Sequence, residues 1–600
     1  MVQHLPQTVL NEVILLSQSV SHSLTHLLTQ VCLWLECRDI TNLQMVNRSL
    51  CSMISDSDPI WQNVCYNRYS KFNQSFYWLT NTLFSSLDIT GHQAPPGMEN
   101  MDETIGYKAL FSTWCRWFHG YSIEEIGMCN RFWNRMEKWL KNNALHIYDT
   151  LRPPPSLQLI QDIEHRLNRK IPRLVKLLYR FHDGQNIHSD RIRLSHILPY
   201  EQQILETGTK VYADDHGRLL SQHEIRQSMH YGLFGGYMFY DEYISMKFLP
   251  LQFAHCLTDT FLVKKKSFFR RTYHPHDLQD EDGSRINVAE PSFIISGSFH
   301  EMAGMWNRLY LVSDSAPGIS DGVYVNHSGY DSAIPMISPR RTACYNASST
   351  GGVLFHWLHE YLHRLESGVY QVQPLVLTSP EKPLAKNATR MISLFPVQET
   401  STKASPSPSN GWNPSLSDTC VTKSVTNGVE IVASPIFVPE RSDGQGKLFY
   451  SYSIRMRLLN NHCSRPRGYQ QCQLTTRHWR LHDTLNNSEE VEGDGVIGYF
   501  PVLSTKYSQD VSKDEWPFVY QSCTDAKNVP TYMGGHFNFQ WLDFNPMEGD
   551  NVPVGSRSPT RSPPRPRNSA NTTASSIPPE IMEFPAKIDD FSLIVPDFIY

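Results

Sequence analysis

Apolar positions recur at helical spacing through the first part of the chain and alternate at strand spacing through the last. Near the start, Leu10, Val13 and Ile14 follow Leu5-Pro6, a pair suited to a first helical turn. Asp39 can cap a helix whose apolar stripe is Ile40, Leu43, Val46 and Leu50. Asp58-Pro59 then starts a short helix carrying Trp61, Val64 and Cys65. Residues 86–104 mix Gly, Pro and polar residues and read as a loop. Residues 107–145 return to helical spacing with Trp114, Trp117, Phe118, Phe132, Trp133 and Trp139, rings that must be buried. After Pro153-Pro154-Pro155, Ser156 caps a helix with Leu157, Ile160, Ile163 and Leu167 on one face. Pro172 opens a second helix, expected to stop at Gly184.

Strand-like runs follow at 248–253 and 293–295, separated by a charged stretch, 264–290, that reads as an exposed loop. Residues 354–365 predict a helix, and 400–418, rich in Ser, Pro and Asn, a linker. Beyond residue 420 short alternating segments recur between turns: VEIVA, FYSYSIRMRL, RHWRLHD, GVIGYFPVL, FVYQS, HFNFQWLDF and FSLIVPDFIY. This pattern predicts an all-β sandwich whose last strand runs to Tyr600. Residues 549–580 interrupt it with a composition that cannot pack a core and is expected to be a disordered insert. No internal repeat is visible.

A length of 600 residues allows several domains, and the aromatic content marks most of the chain as globular. A net charge of -5 argues against attraction of the whole protein to nucleic acid or anionic membrane. The twelve cysteines are scattered without a C-x-x-C pair, the usage of reduced thiols in a cytoplasmic or nuclear protein. No signal peptide, membrane-spanning run or lipidation motif is visible.

Three stretches carry candidate chemistry. His359-Glu360-Tyr361-Leu362-His363 matches H-E-x-x-H, in which two histidines one turn apart bind zinc and the glutamate activates water. The metzincin continuation needs Gly at 366 and His at 369, where Glu366 and Val369 stand. At about 100° per residue, His356, His359, Glu360 and His363 share one side opposite Phe355, Leu358, Leu362 and Leu365. The simpler reading is the solvated face of an amphipathic helix. Gly493-Asp494-Gly495-Val496-Ile497-Gly498 matches G-x-G-x-x-G, but Tyr499-Phe500-Pro501-Val502 cannot open a dinucleotide-binding helix, so turns or bulges are expected. Arg557, Arg561, Arg565 and Arg567 lie among Ser and Pro and read as a solvated insert, with Ser558 and Ser562 before proline as phosphorylation candidates. Asp214-Asp215 and Glu489-Glu490 fall in loop-like sequence as diverging neighbours, and lone histidines such as His182 and His478 read as core or surface residues. No catalytic residue, metal ligand or cofactor is assigned.

Three sets of motifs resemble known families. Leu5-Pro6, Leu10, Leu33, Leu35, Arg38-Asp39-Ile40, Val46-Asn47-Arg48, Leu50 and Asp58-Pro59-Ile60-Trp61 resemble an F-box, with about residues 15–32 additional to that motif. SLQLIQDIEHRLNRKIPRLVKLLYRFHDGQN is similar to a SUKH domain, whose last element would be the helix at 354–365. TNGVEIVASPIF, FYSYSIRMR, RHWRLHD, EEVEGDGVIGYFPVL, YQSCT, TYMGGHF and FSLIVPDF resemble an ApaG domain, a fibronectin-type sandwich. That order is the order of the F-box only protein 3 family and its plant relatives.

The resemblance implies a multidomain α+β chain. A small helical F-box would occupy 1–70, a helical linker 71–125, an α+β SUKH domain 126–372, a second linker 373–419 and the C-terminal all-β ApaG sandwich 420–600. It implies a non-catalytic substrate receptor of an SCF-type ubiquitin ligase. Leu5, Pro6, Leu10, Leu33, Leu35, Ile40, Leu43, Val46, Leu50 and Trp61 would dock on the Skp adaptor, with cullin and RING subunits reached through it. SUKH and ApaG would hold protein substrates; no membrane or nucleic-acid partner is expected. A pyrophosphate-binding role considered for the ApaG glycine motif keeps Gly493, Gly495 and Gly498 as a candidate ligand loop. The alternatives are a phosphate, nucleotide or protein binder without ligase partners, and a zinc peptidase using His359, Glu360 and His363.

Overall fold

The computed structural model describes residues 114–168, 170–186, 231–239, 242–259, 292–300, 305–313, 322–327, 333–338, 352–374, 390–398, 420–442, 447–459, 463, 469–485, 487–505, 518–527, 530–542 and 583–600. The expectations for 1–70, 86–104, 264–290, 400–418 and 549–580 lie outside the described residues. The described residues are mostly β-sheet with few helices, and the chain divides into two compact units.

The smaller unit includes residues 114–134, 153–158 and 177–182. Helix α1 (Ile123–Asn143) starts on a reciprocal cap: Ser122 N donates to Glu125 Oε2 at 2.7 Å and Glu125 N to Ser122 Oγ at 3.2 Å. Of the rings noted in the sequence, Trp114, Trp117, Phe118, Phe132 and Trp133 are buried here, whereas Trp139 is half-buried in the larger unit, its Nε1 donating to the Leu365 carbonyl at 3.1 Å. Phe118 meets Phe181 at 5.6 Å and Trp133 meets His182 at 4.5 Å. Trp117 Nε1 donates to the Arg180 carbonyl at 3.1 Å, beneath the Arg180 guanidinium.

Three helices follow along the chain: α2 (Leu145–Tyr148), α3 (Leu157–Leu167) and α4 (Arg173–Tyr179). Helix α3 buries Ile160, Ile163 and Leu167 of the stripe read from its spacing, and leaves Leu157 half-buried. Helix α4 ends before the expected Gly184: Phe181 and His182 pack in the smaller unit, and Asp183 and Gly184 are bonded within the larger one. The Gly184 carbonyl accepts Arg152 N at 2.9 Å, and Asp183 Oδ1 accepts Leu251 N at 2.8 Å. Gln185 is 1 % exposed and fully engaged. Its Nε2 donates to Thr150 Oγ1 and the Tyr231 carbonyl, and its Oε1 accepts Leu233 N and Phe248 N, all within 3.0 Å.

Two sheets surround this hub. One has β1 (Gly236–Phe239), β2 (Glu242–Ser245), β8 (Gln371–Pro374) and β9 (Arg390–Ser393), in the order β2-β1-β9-β8. The other is an antiparallel meander of β3 (Lys247–Phe248), β4 (Ser292–His300), β5 (Met305–Ser313), β6 (Gly322–His327) and β7 (Ala333–Pro335). The expected strand at 248–253 breaks in two. Phe248 closes β3, then Pro250 caps helix α5 (Leu251–Thr258), whose first N–H Asp183 satisfies. Helix α6 (Gly352–Glu366) lies after the meander.

The same unit contains a sandwich. Its first sheet is β10 (Thr422–Thr426), β11 (Val429–Phe437), β12 (Leu448–Leu458) and β16 (Phe518–Ala526), in chain order. Its second is β14 (Ser488–Asp494), β13 (Gln471–Asp483), β17 (Thr531–Trp541) and β18 (Glu583–Leu593), with β15 (Val502–Ser504) also paired to β13. Alternate residues face inward, so Tyr452 meets Trp479 at 5.6 Å and Tyr520 meets Phe537 at 6.2 Å across the sheets. One edge is closed by side chains at i, i+2 and i+4 of β10. Thr422 Oγ1 and Ser424 Oγ donate to the Asp589 and Lys587 carbonyls, and Thr426 Oγ1 accepts Lys587 N.

The last strand stops at Leu593, not at Tyr600. Residues 594–600 leave the sandwich and pair antiparallel beside β7. Ser338 N donates to the Asp597 carbonyl and Ile599 N to the Met336 carbonyl, each at 2.9 Å. A second link is Arg455 on β12, wholly buried, whose guanidinium donates to the Phe395 and Pro396 carbonyls at 3.1 Å. Burial pulls its pKa down to about 9, so it still enters the interior charged at neutral pH.

Gly184 has φ +70°, and a Cβ there would lie 2.4 Å from the Leu249 carbonyl. Gly184→Ala is expected to destabilise the larger unit by at least about 2 kcal/mol, read as a lower denaturation midpoint by circular dichroism.

Candidate functional site

The ten residues assigned to the adaptor surface, from Leu5 to Trp61, lie outside the described residues. Asp214-Asp215 and the Arg/Ser/Pro stretch with Arg557, Arg561, Arg565 and Arg567 lie outside them too, His182 falls in the smaller unit, and the remaining sequence candidates fall in the larger unit.

Helix α6 corrects the solvated-face reading. His356, His359 and His363 form a half-exposed stripe, but Glu360 is 1 % exposed. Its Oε1 accepts Arg364 Nε at 2.8 Å in a buried ion pair one turn long. The glutamate that a peptidase would aim at a metal-bound water therefore neutralises a buried arginine. Among the described residues no group of three or more His, Cys, Asp or Glu is placed to hold a metal ion. The polar residues of α6 serve the 594–600 tail. Trp357 Nε1 donates to the Ile599 carbonyl at 2.9 Å and its ring stacks on Tyr600 at 5.4 Å. The Arg364 guanidinium lies 5.2 Å from the Tyr600 ring centre, and Arg308 Nη2 donates to the Tyr600 carbonyl at 3.1 Å.

The glycine hexad makes a hairpin, not a helix start. Val496 and Tyr499 exchange backbone bonds of 2.9 and 2.8 Å around Ile497 (φ +48°) and Gly498 (φ +78°). Two successive positive φ values give a type I′ turn, which needs glycine or a strained substitute. Gly495, at φ +59°, leaves no room for a Cβ, which would sit 2.3 Å from the Tyr499 carbonyl. Gly493 faces Arg477, whose Nη1 donates to the Asp494 and Gly495 carbonyls at 3.2 and 2.8 Å. The loop thus turns carbonyls towards a guanidinium. Its backbone N–H groups at 495, 496 and 499 are spent on Thr475, Tyr499 and Val496.

Glu489-Glu490 lies in a strand, β14, rather than a loop, and His478 is not alone. Register places Glu492, His478, His536 and Lys587 in one row across β14, β13, β17 and β18. The His478 and His536 rings stack at 4.8 Å, with Glu490 and Glu492 at 3.5 and 3.6 Å from His478 Nε2. Four residues along, His482 stacks on Tyr532 at 5.4 Å. Between the rows Arg480 reaches Asp590 at 3.4 Å across Gly534, where a Cβ would strike the Asp590 carboxylate. A bulge supplies the reach: Asp589 and Asp590 together oppose Gly534. This outer face of paired rings and charges was missed because each member looked solitary in sequence. The signal was the alternation within RHWRLHD and TYMGGHF, which aligns once the strands are paired.

The family model for the ApaG domain matches residues 439–541. The match ends at Trp541, before the residues that precede β18, although β18 completes the sheet. F-box protein SKIP16 of Arabidopsis thaliana is 24% identical over 503 residues, 83% of this chain and 86% of that protein. F-box only protein 3 of Homo sapiens is 31% identical over 120 residues, 20% of this chain and 23% of that protein. The chain is homologous to these F-box proteins and carries an ApaG domain. Protein ApaG of Methylorubrum populi is 38% identical over 82 residues, 14% of this chain and 57% of that protein. In the ApaG domain of this chain the matched segment supplies β12 to β17, including the hairpin and most of the histidine-bearing face.

Glu360→Gln is expected to destabilise the fold by roughly 3 kcal/mol, because it strands the buried Arg364 cation; urea titration of the full chain reads it. Burial holds His356 below its ordinary value of 6.5, and burial together with His478 does the same for His536. The folded state thus prefers their neutral forms. This stability is present above pH 6.5 and lost as pH falls through the lowered folded values. The thermal midpoint should drop between about pH 7 and 5, and His356→Gln should flatten that slope.

Proposed function

We propose that this chain is the substrate-recognition subunit of an SCF-type ubiquitin ligase, acting in the cytoplasm or nucleus. The observation that carries the reading is likeness to an F-box protein along most of both chains, joined to an ApaG domain. In this reading residues 1–70 form the F-box, with Leu5, Pro6, Leu10, Leu33, Leu35, Ile40, Leu43, Val46, Leu50 and Trp61 anchoring or supporting the contact with a Skp adaptor. Cullin and RING subunits join through the adaptor. The α+β region of 126–372 is read as a SUKH domain, and with the ApaG domain it holds the protein substrate. The chain then contributes no reacting group. It raises the effective concentration of a substrate lysine beside ubiquitin carried by another subunit. The paired rings and ion pairs of the outer ApaG face suit that task, since they offer rigid aromatic and charged contacts on a strand scaffold.

The test is co-expression of the full chain with a Skp adaptor, followed by gel filtration. A stable complex is expected, with Leu5→Ala/Pro6→Ala weakening it at least about 10-fold through loss of apolar anchors. A complex formed only after removal of residues 15–32 would mean that this segment disables the F-box. No complex in any form would overturn the ligase reading and leave an ApaG-based binding module.

A further inference from the structure

The two outer edges of the second sandwich sheet are unlike. The backbone of β18 is met by the Ser and Thr side chains of β10. Among the described residues strand β14 is the opposite edge, and six of its seven residues are exposed. Its hydrogen-bonding pattern follows from two flanking bonds. Asp483 N donates to the Asn487 carbonyl and Gly495 N to the Thr475 carbonyl. With the register of β13 and β14, these make Glu489, Val491 and Gly493 the residues bonded to β13. The N–H and C=O groups of Ser488, Glu490 and Glu492 therefore point outward, away from β13, whereas the Asp494 carbonyl is taken by Arg477.

We propose that the β14 edge of the ApaG domain binds an extended basic peptide segment by strand addition. The side chains select the occupant. Glu490 and Glu492 stand on the outer face beside His478. Val491, 39 % exposed, stands on the other face with Glu489. An added strand that alternates basic and apolar residues places its cations against Glu490 and Glu492 and an apolar side chain over Val491. A second copy of the same edge would bring like charges together, so self-pairing is disfavoured where a basic strand is favoured. The proposal deepens the receptor reading by naming the chemistry of the segment held. It is measured without an adaptor, so its failure and that of adaptor docking are separate results.

The probe is a fluorescent ten-residue peptide alternating Arg and Val, with a Glu/Val peptide as control, titrated by anisotropy into the full chain at about 0.15 M salt. Saturable binding of the basic peptide alone is expected. Glu492→Ala removes one carboxylate and should weaken binding about 3-fold. Glu492→Pro also removes an outward N–H while sparing the β13 ladder, and should weaken it a further 5-fold or so. Glu490→Pro should repeat that loss independently, with circular dichroism verifying that each variant is folded. Equal binding by the Pro and Ala variants would overturn strand addition in favour of charge alone. No binding, or equal binding of both peptides, would overturn the site. Self-association of the chain that Glu492→Pro abolishes would assign the edge to a second copy and overturn the basic occupant.

Discussion

Tyr600 fastens the sandwich to the α+β half of the larger unit. Its ring lies on Trp357 and near Arg364, and its carbonyl accepts Arg308. Both arginines are buried, and a buried cation is tolerated only when its lost hydration is replaced. Arg364 finds Glu360 and the aromatic faces of Tyr370, Phe598 and Tyr600. Arg308 finds the Tyr237 hydroxyl and the Tyr600 carbonyl. The charges inside α6 make sense only with the tail in place. A helix buried nearly all round would otherwise carry apolar residues at 360 and 364.

Arg455 repeats the device at another point of the same unit, with two carbonyls from 395 and 396 in place of rings. Directional groups at both links fix one arrangement where apolar packing alone would tolerate several. The ApaG sandwich applies the same economy to its outer face. One bulge in β18 and two glycines in β17 bring Asp590 over to Arg480 and leave the ring pairs on either side upright.

Strands β11, β12, β13, β16 and β17 were legible because period-2 alternation is a local property of each segment. Helix α3 was legible for the corresponding helical reason. Segments whose fate is decided by distant partners were not. Leu251 begins a helix because Asp183, 68 residues earlier, receives its N–H. Glu360 turns inward because Arg364 must be neutralised beneath the tail. GVIGYFPVL groups with the alternating segments, yet Ile497 and Gly498 take positive φ and only Val502–Ser504 forms a strand. The histidines at 478 and 536 meet only through register, which no single segment contains. The candidate adaptor residues were read from an interval motif, and the described residues do not include them.

The Trp357 indole and its acceptor at Ile599 are 242 residues apart. At the usual pace of translation, about 5–20 residues per second, α6 emerges on the order of 10 to 50 s before the segment that neutralises and covers its interior face. During that interval Trp357, Tyr361 and the Glu360–Arg364 pair have no tail to pack against. The α+β half must therefore wait in a partly open state while the whole ApaG domain is made. Its passage through the ribosome and past chaperones is set by the far end of the sandwich rather than by its own sequence.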